Sequence, residues 1–398
     1  MTTAHPTPPT ASPAPDRAGA TPDGGEAPTA GAAPRYHAPL GAGVEQIDTP
    51  ALLLDRDRLE RNIAAMAAFA TGGPAKLRPH SKTHKCVEIA RLQLAAGAVG
   101  ITCAKVGEAE ALAAGGIPDI LIANQVVGPI KIARLVALAH RCTVTIAVDD
   151  AGNVAALSAA AAAAGVRLRC YVEVDVGMAR CGVADGAAAL ALARLVAASP
   201  GLVFAGLQTY EGHLQNVVPL AERIERTRHD MAAALAARQA VEAGGLPVGE
   251  VSGGGTGTHM VTGRLPYMTE LQCGSYATMD AQYATVGGAQ FENALTVLAT
   301  VISRPQPDRG VIDAGLKAVT PEFGPPMVLV DGATWLDFSE EHGELALDGA
   351  ARGLRVGDKI GLVPRHGCTT INLYDELHVL RDGRLADVWP VAGRGRSQ

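Results

Sequence analysis

From residue 50 to about residue 285 the sequence alternates between short apolar runs and stretches of helical periodicity. Apolar runs stand at 51–55, 77–82, 100–105, 119–124, 144–149, 168–176, 204–210, 248–253 and 270–276. Helical patterns at 58–69, 87–96, 107–114, 129–140, 152–164, 186–198 and 219–243 separate most of them. A parallel strand needs a crossover to reach its neighbour, and a strand buried on both faces reads as a continuous apolar run. About eight such units over roughly 230 residues predict an α/β chain folded as a closed (β/α)8 barrel, with an open doubly wound sheet as the alternative.

The rhythm changes near residue 285. Runs at 297–302, 310–312, 327–330, 359–363, 376–380 and 385–389 read as β-strands joined by turns such as Arg381-Asp382-Gly383-Arg384. The expected organisation is a barrel over 48–284 and a C-terminal β-rich domain over 285–398, with the 39–50 region available to pair with the latter. Residues 1–38 are rich in Pro, Ala, Thr and Gly and bury too little apolar surface to offset ordering entropy, so a disordered tail is expected there. The tail lacks a basic segment followed by an apolar one, so it does not read as a secretory leader.

Composition narrows the function. Aromatic residues are only 4% of the 398, so the core must come from Ala, Val, Leu and Ile. A net charge of -6 argues against a nucleic-acid partner. No apolar run reaches the roughly 18 residues of a membrane helix. Seven cysteines, an odd number with no CxxC, read as reduced thiols of a cytoplasmic protein.

Four motifs carry chemistry. Arg78-Pro79-His80-Ser81-Lys82-Thr83-His84-Lys85 ends a predicted strand at a barrel mouth, where such folds place their sites. It reads either as a solvated basic turn or as a Schiff-base lysine whose pKa neighbouring cations depress. Strand alternation puts Lys82 and His80 on one face; Lys82 at the strand end is the better nucleophile, and Lys85, expected in the following helix, the worse. In Gly177-Met178-Ala179-Arg180-Cys181-Gly182, glycines allow close backbone approach and place Arg180 either in an ordinary turn or beside an anionic cofactor oxygen. Ser252-Gly253-Gly254-Gly255-Thr256-Gly257-Thr258 and Gln272-Cys273-Gly274-Ser275-Tyr276 follow late strands; they are linkers or phosphate cradles of free N–H groups. Finally, His366 and Cys368, two apart on a segment expected to be extended, point the same way; the pair is chance or a divalent-metal site with open positions.

Together these motifs resemble one family: the metal-dependent D-threonine aldolases and D-serine dehydratases, pyridoxal-phosphate (PLP) enzymes of the alanine-racemase-type barrel. Arg78–Lys85 is similar to the family's RPHxKxHK segment, whose first lysine carries the cofactor, which implies Lys82. Gly177–Gly182 resembles the GMxRxG segment of alanine racemases, implying a place for Arg180 by the cofactor's phenolic oxygen. Gly253–Gly257, Glu270–Tyr276, Asp313–Lys317 and Glu341–Gly343 match the aldolase group in order. The resemblance spans roughly residues 46 to 396. It implies Lys82, Arg180 and Tyr210 as catalytic residues. It also implies His80, Gly254, Gly255, Thr256, Gln272, Gly274, Ser275 and Tyr276 around PLP, a metal (Zn or Mn) on His366 and Cys368, and a homodimer.

The expected reaction is cleavage of a small D-β-hydroxy amino acid to glycine and an aldehyde. The flanking text Gly206–Tyr210 and Thr269–Gln272 looks like the aldolases, whereas His-x-Cys, where aldolases carry His-x-Asp, looks like the dehydratases. The alternative is therefore dehydration to a keto acid and ammonia. A non-catalytic PLP carrier fits less well, since a carrier needs neither the second domain nor the metal pair. A racemase fits less well because no second base is identifiable.

Overall fold

The structure, a computed structural model, describes residues 37–286 and 290–398. The tail expected to be disordered falls outside the described residues up to residue 36. His37 and Ala38, counted with it above, are packed: His37 Nε2 meets Glu376 at 3.0 Å and Ala38 is buried.

Eight parallel strands form the first sheet: β2 (Lys76–Leu77), β3 (Ile101–Cys103), β4 (Asp119–Gln125), β5 (Thr143–Val148), β6 (Leu168–Glu173), β7 (Leu202–Thr209), β8 (Glu250–Gly253) and β9 (Glu270–Leu271). Their order is β2-β9-β8-β7-β6-β5-β4-β3. The ring closes where Thr102 N–H donates to Pro79 O (2.8 Å) and Ser81 N–H donates to Thr102 O (2.7 Å), around a parallel bridge between His80 and Thr102. This is the parallel eight-stranded barrel expected from the alternating pattern. Ile120, Ile146, Val148, Leu168, Val172, Leu207 and Val251 are wholly buried, as continuous apolar runs require. Helices such as Ala151–Ala164 are built almost entirely of Ala and small residues, which lets them lie close on the sheet.

β1 (Ala51–Asp55) precedes the barrel helices yet belongs to the second sheet. It pairs antiparallel with β10 (Leu295–Gln306) and parallel with the late strand at Glu376–Arg381. The sheet continues through β11 (Arg309–Ile312), β12 (Met327–Val328), β13 (Ala333–Phe338), β14 (Gly343–Leu347), β15 (Lys359–Val363), β16 (Glu376–Arg381) and β17 (Arg384–Pro390). Its main path runs β13-β14-β11-β10-β1-β16-β17, with β15 pairing β10 and β12. β13 and β14 were not anticipated: half of the first strand's residues are exposed, and its Thr334 and Asp337 break up the apolar signal. The Glu341–Gly343 motif ends the turn between them and opens β14, and Asp313 accepts from Thr49 Oγ1 (2.5 Å) and Thr300 N–H (2.7 Å), so both motifs serve this domain's framework.

The barrel interior below the mouth is polar. Arg78 donates to Glu270 (2.9 and 3.0 Å) and Asp119 (2.6 Å), and Tyr171 Oη donates to Glu270 (3.2 Å). These groups are buried but mutually satisfied; removing one partner of such a pair typically costs about 3–5 kcal/mol.

Candidate active site

At the C-terminal mouth of the barrel a cavity of about 340 Å³ opens between the two domains. Its wall includes His80, Lys82, Arg180, Tyr210, Gly255, Thr256, Gln272, Gly274, Ser275, His366 and Cys368. Eleven of the thirteen residues singled out from sequence are thus brought together from six loops. Gly254 and Tyr276 lie outside this wall, for a visible reason. Gly254 N–H is committed to Glu211 (3.2 Å) and Tyr276 N–H to Thr256 Oγ1 (3.0 Å).

Lys82 stands in the turn that follows His80, because β2 ends at Leu77 rather than running on to residue 82 as expected. Its Nζ has no hydrogen-bond or ion-pair partner among the described residues and lies 5.6 Å from the centroid of the Tyr210 ring. Burial lowers its pKa and the nearby Arg180 charge lowers it further, while Cys368 and Glu108 oppose the shift. The motif's other cations, invoked above as the cause, contribute differently. Arg78 points down into the barrel, and burial holds the His80 imidazole neutral. Lys85 is not in a helix: it sits at φ 50° ahead of the helix Val87–Ala95, ion-paired to Glu108 (3.1 Å) and bonded to Asn372 (2.9 Å). An unpaired amine with a lowered pKa that faces a cavity is the better nucleophile, and an ion-paired ammonium the worse.

Arg180 reaches the same ring, its Cζ 5.5 Å from the Tyr210 centroid and one guanidinium nitrogen 4.0 Å from Glu173. Its loop is held by the Asp175 carboxylate, which accepts from Gly177 N–H (2.9 Å) and Ala179 N–H (3.0 Å). Gly182 at φ 107° lies so close to Val174 and Asp175 that a Cβ would meet their backbone within 2.8 Å.

The glycine-rich loop is organised by a buried carboxylate absent from the sequence reading. Glu211 accepts from Thr258 Oγ1 (2.7 Å), Thr262 Oγ1 and Gly254 N–H, while Gln215 Oε1 accepts from Gly257 N–H (2.8 Å). Thr256, Gly274 and Ser275 line the cavity, and their backbone N–H groups have no acceptor among the described residues. A buried N–H left unmet costs about 1–3 kcal/mol, so three together suit an anion such as a phosphate. With Lys82 across the cavity, the residues fit an aldehyde-bearing, phosphorylated cofactor.

The second domain supplies the other wall. His366 caps the short helix Gly367–Ile371, so Cys368 lies in that helix and not on an extended segment. His366 Nδ1 meets Asp280 Oδ2 at 3.0 Å, and Asp280 also accepts from Gly367 N–H (3.0 Å). That carboxylate fixes the ring and leaves Nε2 for a metal, the usual second partner of a ligating histidine. The Cys368 thiol donates to Thr83 Oγ1 (3.3 Å), one residue from Lys82. Burial disfavours charge on both groups, yet the Asp280 bond and their mutual attraction outweigh it. The imidazole pKa rises to about 10 and the thiol's falls. The described residues contain no group of three or more potential ligands, so this donor set would leave coordination positions open. Asp280 and Tyr283, from the segment after the barrel's last strand, gave no signal in sequence because only tertiary closure brings them here.

Residues 54–282 match the family model of the alanine racemase N-terminal domain, and residues 294–380 match one described as "Putative serine dehydratase domain". The chain is 44% identical over 362 residues to a D-threonine aldolase of an Arthrobacter species, covering 90% of this chain and 96% of that one. It is 42% identical over 375 residues to a 3-hydroxy-D-aspartate aldolase of Paracoccus denitrificans, covering 91% and 96%. Among solved structures, D-threonine aldolase from Filomicrobium marinum superposes with a TM-score of 0.89 at 40% identity, covering 91% of this chain and 100% of that one. A D-threo-3-hydroxyaspartate dehydratase from a Delftia species superposes at 0.81 with 30% identity, covering 87% and 98%. Variants of that dehydratase have a histidine and a cysteine replaced by alanine, the cysteine variant in a metal-free form.

Proposed function

Since this chain belongs to the PLP-dependent family of the alanine racemase N-terminal domain, with D-threonine aldolase among its relatives, we propose that it is a PLP- and divalent-metal-dependent lyase of D-β-hydroxy amino acids. The reading is carried by one observation: the barrel's unpaired Lys82 and the β domain's His366–Cys368 pair face a single cavity, linked through Thr83. Lys82 would hold the cofactor's aldehyde carbon, and the N–H groups of Thr256, Gly274 and Ser275 its phosphate. Arg180 and Tyr210 would flank it, with Arg180 opposing an anionic oxygen. His366 Nε2 and Cys368 Sγ would hold the metal, with Asp280 fixing the imidazole. A thiolate ligand favours Zn over harder ions, with Mn as the alternative. Bound PLP supplies an electron sink for the electrons released at Cα, and a bound metal lowers the pKa of a coordinated β-hydroxyl.

In this reading the Cα–Cβ bond breaks as the β-hydroxyl loses its proton, giving glycine and an aldehyde. The second reading, loss of water followed by hydrolysis of the resulting imine to a keto acid and ammonia, is favoured by Cys368, since a cysteine takes the aspartate's place in the family's pair. We also infer a homodimer and, from seven unpaired thiols, a cytoplasmic location; no helix among the described residues is long and apolar enough to cross a membrane. Product analysis with D-threonine, D-serine and 3-hydroxy-D-aspartate tests the reaction. Glycine is the expected product. Keto acid and ammonia with no glycine from any of the three would transfer the assignment to the dehydratase reading.

A further inference from the structure

The loop from β11 to β12 closes the cavity beside the His366–Cys368 pair. Thr320 Oγ1 meets Thr369 Oγ1 at 2.7 Å and Thr370 Oγ1 at 3.1 Å, and Ala318 O accepts from Tyr374 Oη (2.9 Å). These bonds tie the loop to the helix that carries Cys368. They bring Glu322 and Phe323 to the cavity wall. The Glu322 Oε2 atom is shielded from solvent and has no hydrogen-bond partner among the described residues. Phe323 holds a left-handed φ of 64°, costly by on the order of 1–2 kcal/mol for a residue with a Cβ. The residue is 51% exposed, and its ring stands edge-on to His366 with centroids 5.4 Å apart. Core packing accounts for neither side chain.

The cationic or imidazole side chains on the cavity wall are His80, Lys82, Arg180 and His366. Burial keeps His80 neutral. In the proposed function Lys82 and Arg180 serve the cofactor and His366 the metal. No further cation lines this wall among the described residues, and Glu322 adds a negative charge.

We propose that Glu322 and Phe323 form the subsite for the substrate's β-substituent and select an uncharged apolar or aryl group over a carboxylate. The inference rests on the proposed function for where the substrate lies, with its β-carbon toward the His366–Cys368 pair. Two carboxylates a few ångströms apart in a partly desolvated cavity repel enough to weaken binding by roughly tenfold to hundredfold. An aryl group would gain the exposed Phe323 ring as an edge or offset partner.

The test is titration of the holoenzyme, followed by its visible spectrum, with D-threonine, D-phenylserine and D-threo-3-hydroxyaspartate. The expected order is D-phenylserine at least as tight as D-threonine, and hydroxyaspartate about tenfold weaker or more. Glu322→Gln and, independently, Glu322→Ala should each raise hydroxyaspartate binding relative to D-threonine by about tenfold. Phe323→Ala should weaken D-phenylserine more than D-threonine. Equal binding of hydroxyaspartate and D-threonine by the unaltered protein would overturn the proposal. So would an unchanged ratio in both Glu322 variants. Loss of bound metal from Glu322→Gln, by elemental analysis, would make Glu322 a ligand and overturn it as well. Binding in the expected order with no product from any substrate would refute the lyase reading alone.

Discussion

The two walls of the cavity are built on different physical terms. The barrel wall consists of backbone N–H groups and buried side chains locked by Glu211, Gln215 and Asp175, on loops that follow a fully buried parallel sheet. The β-domain wall is a short helix and one loop, joined to the barrel through Asp280 and Thr83. The first suits a large anionic cofactor that stays in place. The second suits a metal and a variable substituent, and a change there leaves the barrel's own bonding intact. Aldolases and dehydratases on one scaffold are what such a division permits.

The largest expected effect is on the barrel side. Lys82→Ala should abolish the visible band that borohydride removes and lower turnover by about a thousandfold or more. A reducible band that survives, carried by Lys85, would place the cofactor lysine wrongly. On the other wall, Cys368→Ala should lower turnover by about a hundredfold while the visible band persists. Loss of the band in this variant would show that the walls are not separable. Asp280→Asn is a subtler break: it keeps both ligands but weakens the ring's orientation, and metal affinity should fall about 10–100-fold. Equilibrium dialysis against the metal would reveal unaltered affinity if Asp280 has only a packing role.

A further effect concerns pH and folding rather than the site. Burial lowers the His84 pKa from 6.5 to about 4, and its Nδ1 accepts from Cys86 N–H (3.1 Å). Between these values the unfolded chain binds a proton that the folded chain does not. The stability is therefore fully present above pH 6.5 and is lost progressively as pH falls toward 4, by roughly 3 kcal/mol at most from this residue. Urea unfolding at pH 7 and pH 5 should show the loss, and His84→Gln should flatten it. A pH dependence unchanged by that substitution would assign the acid sensitivity elsewhere.

The sequence was most readable where burial is two-sided. Strands such as Thr143–Val148 and Leu202–Thr209 announce themselves because both faces must be apolar. β13 did not, because three of the six residues of Ala333–Phe338 are exposed and Thr334 and Asp337 are among them. In the site, Lys82, Arg180 and the glycine-rich loop were legible as local clusters of unusual residues, although the cause assigned to the lysine's shift was not the leading one. Arg78 turned out to brace the barrel, and burial heads the forces on Lys82. Asp280, Glu211 and Glu322 are single carboxylates in unremarkable stretches. Apart from Tyr283 N–H, three positions from Asp280, the side-chain partners of Glu211 and Asp280 lie between 43 and 87 positions away in sequence, a separation no local pattern encodes.

The central claim is that one cavity joins a cofactor held by the barrel to a metal held by the β domain. It is tested most directly by chelating the unaltered holoenzyme while following its visible spectrum and its release of glycine from D-threonine together. The account predicts that glycine release stops, the cofactor band remains, and added Zn or Mn restores turnover. Full glycine release from a sample shown by elemental analysis to be metal-free would contradict it.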